Sequence, residues 1–190
     1  MLLSSVASIT HRQVAKLQAC SGVSVWSVTV CAGRIYVLCT QSNVLKVFDS
    51  ATYTALPSIT VPVLTANGAG SYSVRDIVCA TDSNTLYLAE MDPGVTHRIW
   101  KTAAPAAATW TLWKDSVASV MTMSVTGDGK ILIPSRDDSK LLKFNQDGSL
   151  VASVPLSTAT FPLHSLFHAV QLTPERYCNQ RNEPRTFVSL

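Results

Sequence analysis

Residues 121–154, MTMSVTGDGKILIPSRDDSKLLKFNQDGSLVASV, divide into four short strand-length runs joined by three turns. Gly127, Asp128 and Gly129 make one turn and Asp147 with Gly148 another, residue types that reach the positive φ a tight hairpin requires. Between the turns, Ile131, Ile133, Leu141 and Phe144 lie in short runs of β-branched and aromatic side chains, which favour a pleated, half-buried surface. The unit reads as one antiparallel sheet of four strands, and weaker copies precede and follow it.

The first copy opens with VWSVTVC (25–31), turns at Ala32-Gly33 and returns through RIYVLC (34–39). Its third strand is residues 44–49 and its fourth residues 56–63. Residues 67–71, NGAGS, link it to the second copy. That copy contains VRDIVCA (74–80), TLYLAE (85–90), HRIWK (97–101) and residues 109–114. Between its last two strands Pro105 interrupts an alanine-rich run and disfavours a helix there. A fourth copy begins with LFHAVQL (166–172) and a turn at 173–175; after Tyr177 the sequence turns polar and proline-broken, so the pattern is expected to stop. Upstream, VAKLQAC (14–20) alternates like the outer strand of a sheet whose inner strands are not encoded before it.

Aligned on their second strands, Ile35, Leu86 and Ile131 fall 51 and 45 residues apart. Aligned on the third strands, Lys46-Val47, Arg98-Ile99 and Lys143-Phe144 fall 52 and 45 apart. A period near 45 with four strands per unit is the mark of β-propeller blades. The expected fold is therefore all-β, an incomplete β-propeller of three full four-stranded blades with partial blades at both ends. It spans residues 1–177, with blades at about 25–63, 74–114 and 120–155 and the start of another at 166–177, followed by an irregular tail at 178–190.

The tryptophan-aspartate pair of WD repeats is absent, since Phe48-Asp49, Trp100-Lys101 and Phe144-Asn145 stand where it would fall. SVTGDGKILIPSRDDSKLLKFNQDGSLV instead resembles an NHL repeat, and LYLAEMDPGVTHRIWK repeats the scheme. The resemblance covers residues 25–172. The acidic residue that such repeats favour at the end of the second strand is kept as Glu90 and replaced by Thr40 and Ser135 in the other copies. FPLHSLFHAVQLTPERY is similar to the last-blade region of invertebrate propellers related to the tripartite-motif and NHL group. The resemblance implies a six-bladed propeller and a surface for partners, and this chain holds no ring-finger or B-box cysteine/histidine array.

Composition narrows the function classes. The chain is 47% hydrophobic and 14% charged, which describes a packed globular protein rather than a disordered one. Of the net charge of +3, Arg176, Arg181 and Arg185 against Glu183 carry +2 near the end, so the body is close to neutral and lacks a nucleic-acid footprint. The start lacks the basic and apolar regions of a signal peptide, and no run approaches the roughly 20 apolar residues of a membrane span. Cys20, Cys31, Cys39, Cys79 and Cys178 form no metal-binding spacing, and three of them lie in apolar strands. They read as free core thiols in a reducing, cytoplasmic setting.

No constellation for catalysis stands out. His164 and His168 are close but have no acidic or thiol partner at short spacing, and His11 and His97 lie elsewhere. The run Gly68-Ala69-Gly70-Ser71 lacks the strand-turn-helix context of a nucleophile elbow. Asp137 and Asp138 are neighbours whose side chains diverge. Gly127-Asp128-Gly129 has neither the third glycine nor the helix of a phosphate loop. No cofactor and no metal site are expected; Asp76 and Asn67 are the nearest candidates for the calcium of a lactonase-type propeller hydrolase.

The loop face remains. In propellers, partners meet loops that join one blade to the next and loops that join second to third strands. Those loops hold Trp26, Arg75, Asp92, Arg136 and Asp137, and Trp and Arg are the types that most often anchor interfaces. For Trp26 itself, core packing between blades is the reading expected ahead of an interface role. The expected function is a non-enzymatic protein-interaction platform with an unknown protein partner. Lys46, Arg98 and Lys143, recurring at one blade position, leave single-stranded RNA as an alternative. An open arc would also expose apolar blade faces and could self-associate through them.

Overall fold

A computed structural model describes residues 17, 19–40, 44–62, 74–91, 97–104, 109–117, 120, 122–135, 138–155, 168–173, 176–180 and 186–189. Side chains are described for all of these except Met91 and the residues from His168 onward.

Each copy folds on itself because its turns are short. β1 (Val25–Cys31) and β2 (Arg34–Cys39) are joined by Ala32 and Gly33, both at positive φ (47° and 73°), the geometry of a two-residue hairpin that matches strand twist. β3 (Val44–Asp49) and β4 (Ala55–Thr60) complete the first sheet in the order β1-β2-β3-β4. The second sheet repeats it with β5 (Val74–Ala80), β6 (Thr85–Met91), β7 (His97–Ala103) and β8 (Thr111–Val117). The third is β9 (Ser124–Val125), β10 (Ile131–Ser135), β11 (Lys140–Phe144) and β12 (Leu150–Pro155). In its turns Gly129 and Gly148 take the positive φ, while Gly127 does not. All pairings are antiparallel, and no helix occurs among the described residues.

A fourth sheet consists of β13 (His168–Thr173), β14 (Arg176–Gln180) and β15 (Thr186–Ser189). The expected irregular tail is thus corrected. Tyr177 pairs with both Gln171 and Val188, and the polar, proline-containing stretch at 181–185 falls between two strands instead of ending the pattern. The VAKLQAC run lies partly outside the described residues, and its described members Leu17, Ala19 and Cys20 carry no strand assignment.

The four sheets stack face to face. β1 lies against β5, β5 against β9, and β9 against β13, so the first strands follow one another in series as around a propeller axis. Between sheets one and two, Tyr36, Leu38, Leu45 and Val47 meet Ile77, Leu86 and Leu88. Between sheets two and three, Tyr87, Ile99 and Trp113 meet Met123, Ile131, Ile133 and Phe144. Each fully buried side chain of this size contributes roughly 1.5–3 kcal/mol of transfer free energy. Polar ties run along the same seams: Trp110 Nε1 donates to the Thr60 carbonyl (3.0 Å), and Trp113 Nε1 to that of Gln146 (2.8 Å).

The cysteines depart from expectation. Cys31 of β1 and Cys79 of β5 form a disulfide with their Cα atoms 5.7 Å apart, and Cys20 is bonded to Cys39 at a Cα separation of 5.6 Å. The reading of free thiols is corrected. Burial in an apolar strand does not distinguish a free thiol from a bonded one, and register on adjacent first strands brings Cys31 and Cys79 together. Cys31 and Cys79 are both buried in the seam they bridge.

Candidate functional site

The loop face is built by the starts of the first strands and the ends of the second. Ser24, just before β1, accepts the Thr40 N–H at its carbonyl (2.9 Å) and donates its own N–H to Thr40 Oγ1 (3.2 Å). The strand start and the second-to-third connection therefore share one edge.

On that edge the structure brings two of the expected residues together. Arg75, at the start of β5, places its guanidinium 4.8 Å from the centre of the Trp26 ring on β1. Trp26 is 42% exposed, so it is a surface ring and not a core plug between blades. The stack joins sheets one and two, and such a pair contributes about 0.5–1 kcal/mol at an exposed site. Asp92, Arg136 and Asp137 lie outside the described residues, between β6 and β7 and between β10 and β11.

Directly beneath, Asp76 ties three sheets at once. Its Oδ1 accepts Ser27 Oγ on β1 (2.6 Å) and the Ile77 N–H (2.9 Å), while Oδ2 accepts the Met123 N–H ahead of β9 (2.6 Å). Both oxygens of this buried carboxylate are thus used inside the protein. Asp76 was expected only as a calcium candidate; its register opposite Ser27 carries the actual role, and its partner candidate Asn67 is outside the described residues. Among the described residues no group of three metal-type side chains gathers. Glu90, buried at the end of the second strand where the NHL resemblance places an acid, accepts Trp100 Nε1 at 2.7 Å.

The recurring cations are mostly compensated. Arg98 Nε lies 3.5 Å from Asp115 Oδ1, and Lys143 Nζ lies 3.3 Å from Asp128 Oδ2. His97 begins β7, His168 begins β13, and His11 and His164 are outside the described residues.

Titration shifts belong to turns and seams. The Thr126 hydroxyl, and behind it Lys143, holds the Asp128 carboxyl below the usual range. The Ser149 hydroxyl and N–H do the same for Asp147, and the Thr52 N–H and hydroxyl with the Ala51 N–H for Asp49. Burial, with nearby Asp82, pushes Tyr87 up to about 12. These carboxylates hold the backbone of their own turns: Asp49 accepts the Ala51 and Thr52 N–H groups, and Asp147 the Ser149 N–H.

No family model matches the chain, and no curated protein matches it. Solved structures do. The β-propeller domain of Myceliophteria thermophila Cps50 (Swd1) is similar at 12% identity and a TM-score of 0.57, over 88% of this chain and 54% of that one. The fold is an incomplete β-propeller. The dihydro-heme d1 dehydrogenase NirN is similar at 18% identity and a TM-score of 0.58, over 86% of this chain and 35% of that one. The PQQ-bound aldose sugar dehydrogenase of Streptomyces coelicolor is similar at 14% identity and a TM-score of 0.54, over 72% and 48%. This chain spans about a third to just over half of the length of these proteins, two of which are dehydrogenases by name.

Proposed function

We propose that this chain is a non-enzymatic protein-interaction platform of NHL-like propeller type, with Trp26 and Arg75 at the centre of its partner-binding edge. The observation that carries the reading is the exposed Trp26 ring under the Arg75 guanidinium at the junction of two sheets. An aromatic and an arginine held rigid before binding lose little entropy on contact and can anchor a partner side chain. Asp92, Arg136 and Asp137, expected beside them from the sequence, lie outside the described residues and carry no part of this reading. Two disulfides support a home in an oxidising compartment, in place of the cytoplasmic setting expected from free thiols. The RNA alternative is weakened by the ion pairs that occupy Arg98 and Lys143.

Proteins captured by the wild-type chain from secretory-compartment extracts would be compared with those captured by Trp26→Ala and Arg75→Ala. Loss of a shared set of proteins, with melting temperature within a few degrees of wild type, supports the reading. An unchanged set, or binding to a single-stranded oligonucleotide that weakens steeply with salt, contradicts it.

A further inference from the structure

The seams between sheets follow a rule. The fourth strand of one sheet and the residues just after it cover the outer part of the next sheet. Leu56, Ile59 and Val61 lie against the core that includes Ile77, Leu86 and Leu88, and Trp113, Val117 and Val120 against the core that includes Ile131, Ile133 and Phe144. The first sheet shows the same pattern with no sheet behind it among the described residues: Leu17, Ala19 and Cys20 pack on Val37, Cys39 and Phe48. By position, Leu17, Ala19 and Cys20 stand where the fourth strand of a preceding sheet would lie on the first one, without themselves pairing as a strand among the described residues.

The fourth sheet has the complementary deficit. It holds β13, β14 and β15, and among the described residues nothing pairs with the outer side of β15. An unpaired strand edge is a template for another strand. The inner part of the first sheet's outward face is also uncovered. Val28 and Val30 are 54% and 56% exposed, although a first strand is covered at the same positions in sheet two.

We propose that two copies of this chain close head to tail into one ring of eight sheets. In it, the segment holding Leu17, Ala19 and Cys20 of each copy serves as the fourth strand of the other copy's β13–β15 sheet, and that sheet covers Val28 and Val30. Twice four sheets gives eight, inside the range of about four to eight blades that rings adopt. A head-to-tail contact made twice about a twofold axis closes and leaves no free blade face. Cys20–Cys39 fixes the donated segment on the first sheet before any partner arrives, so little ordering is left to offset on association.

Light scattering on the full chain tests this. The expected mass is twice the 20.5 kDa chain, stable on dilution into the micromolar range. A monodisperse single chain, or an open-ended polymer, overturns the proposal. The variant Val28→Asp with Val30→Asp puts charge on two exposed positions, so the fold should persist by circular dichroism. Its dimer dissociation constant should rise at least about tenfold; an unchanged constant overturns the assignment of this face. Amide exchange of β15 in the unmodified protein gives an answer independent of that variant. It should slow as concentration rises through the dissociation constant, and concentration-independent exchange contradicts strand donation.

Discussion

The first strands of sheets one and two have the same length and face the same way, yet their surroundings are opposite. On β5, Ile77 and Cys79 are 1% and 8% exposed because sheet one stands over them; at the matching places on β1, Val28 and Val30 are more than half exposed. Apolar side chains at both pairs of positions show that this surface is composed for contact whether or not this chain supplies the contact. The first strand's polar positions carry the second lesson. Ser27 faces the seam and is held by Asp76, so polar residues on this strand are placed by the neighbouring sheet, not by solvent.

Truncating a side chain at each of the two places should have very different costs. Ile77→Ala should cost about 2–5 kcal/mol in urea unfolding, as large-to-small changes in packed cores do. Val28→Ala in the same assay, at a concentration where the chain is single, should stay within about 0.5 kcal/mol. Equal costs would mean that the outward face is covered after all.

Next in size is the staple across the seam. Replacing Cys31 and Cys79 together by Ser should cost about 2–4 kcal/mol, because a bond closing 48 residues restricts the unfolded chain most. The loss should vanish when wild type and variant are compared under reducing conditions. A third, smaller effect concerns the clip beneath the loop edge: Asp76→Ala takes the acceptor from the Met123 N–H and leaves the Ser27 hydroxyl only the longer contact to the Ile77 carbonyl (3.4 Å), and should cost about 1–3 kcal/mol. It should also raise amide exchange in the segment at 122–125, where Ser27→Ala would not.

The smallest effects are in pH. Asp49, Asp128 and Asp147 have carboxyls held below their unfolded values, so their contribution is present above about pH 4 and is lost as pH falls through the lower folded values. Tyr87 runs the other way: its contribution is full below about pH 10, the unfolded phenol value, and is lost between there and about 12. Urea midpoints should therefore fall at both ends, and Tyr87→Phe should flatten only the alkaline limb.

Much of this architecture is legible in the sequence, because hairpin turns and short apolar runs are local signals. Residues 25–31, 34–39 and 44–49 are strands within the bounds that the residues alone indicate, and Ala32-Gly33 turns where two small residues permit it. Strand ends are less legible: β8 runs to Val117, beyond Lys114, through Ser116 at a positive φ that no serine announces. β14 and β15 were hidden because Asn179, Gln180 and Pro184 resemble a chain leaving a sheet. The disulfides and the Asp76 clip were hidden for a different reason. The Cys31–Cys79 bond and the Asp76 clip each join residues about 50 positions apart and depend on how separate sheets register against each other, while Cys20–Cys39, 19 apart, depends on how the segment before β1 lies on sheet one. Trp26 and Arg75 could be selected by type and loop position, but their contact is again a product of two sheets meeting.

The placement of β1 against β5 underlies the seam, the staple and the bare face, and peptide mapping without reduction tests it most directly. Trypsin leaves Cys20 and Cys31 in one peptide, LQACSGVSVWSVTVCAGR, so a chymotryptic cut after Trp26 is needed to separate them. The expected result is two linked pairs, Cys20 with Cys39 and Cys31 with Cys79, in protein purified under oxidising conditions. Cys31 recovered as a free thiol, or linked to Cys20 or Cys39, would contradict the stacking of sheet one on sheet two.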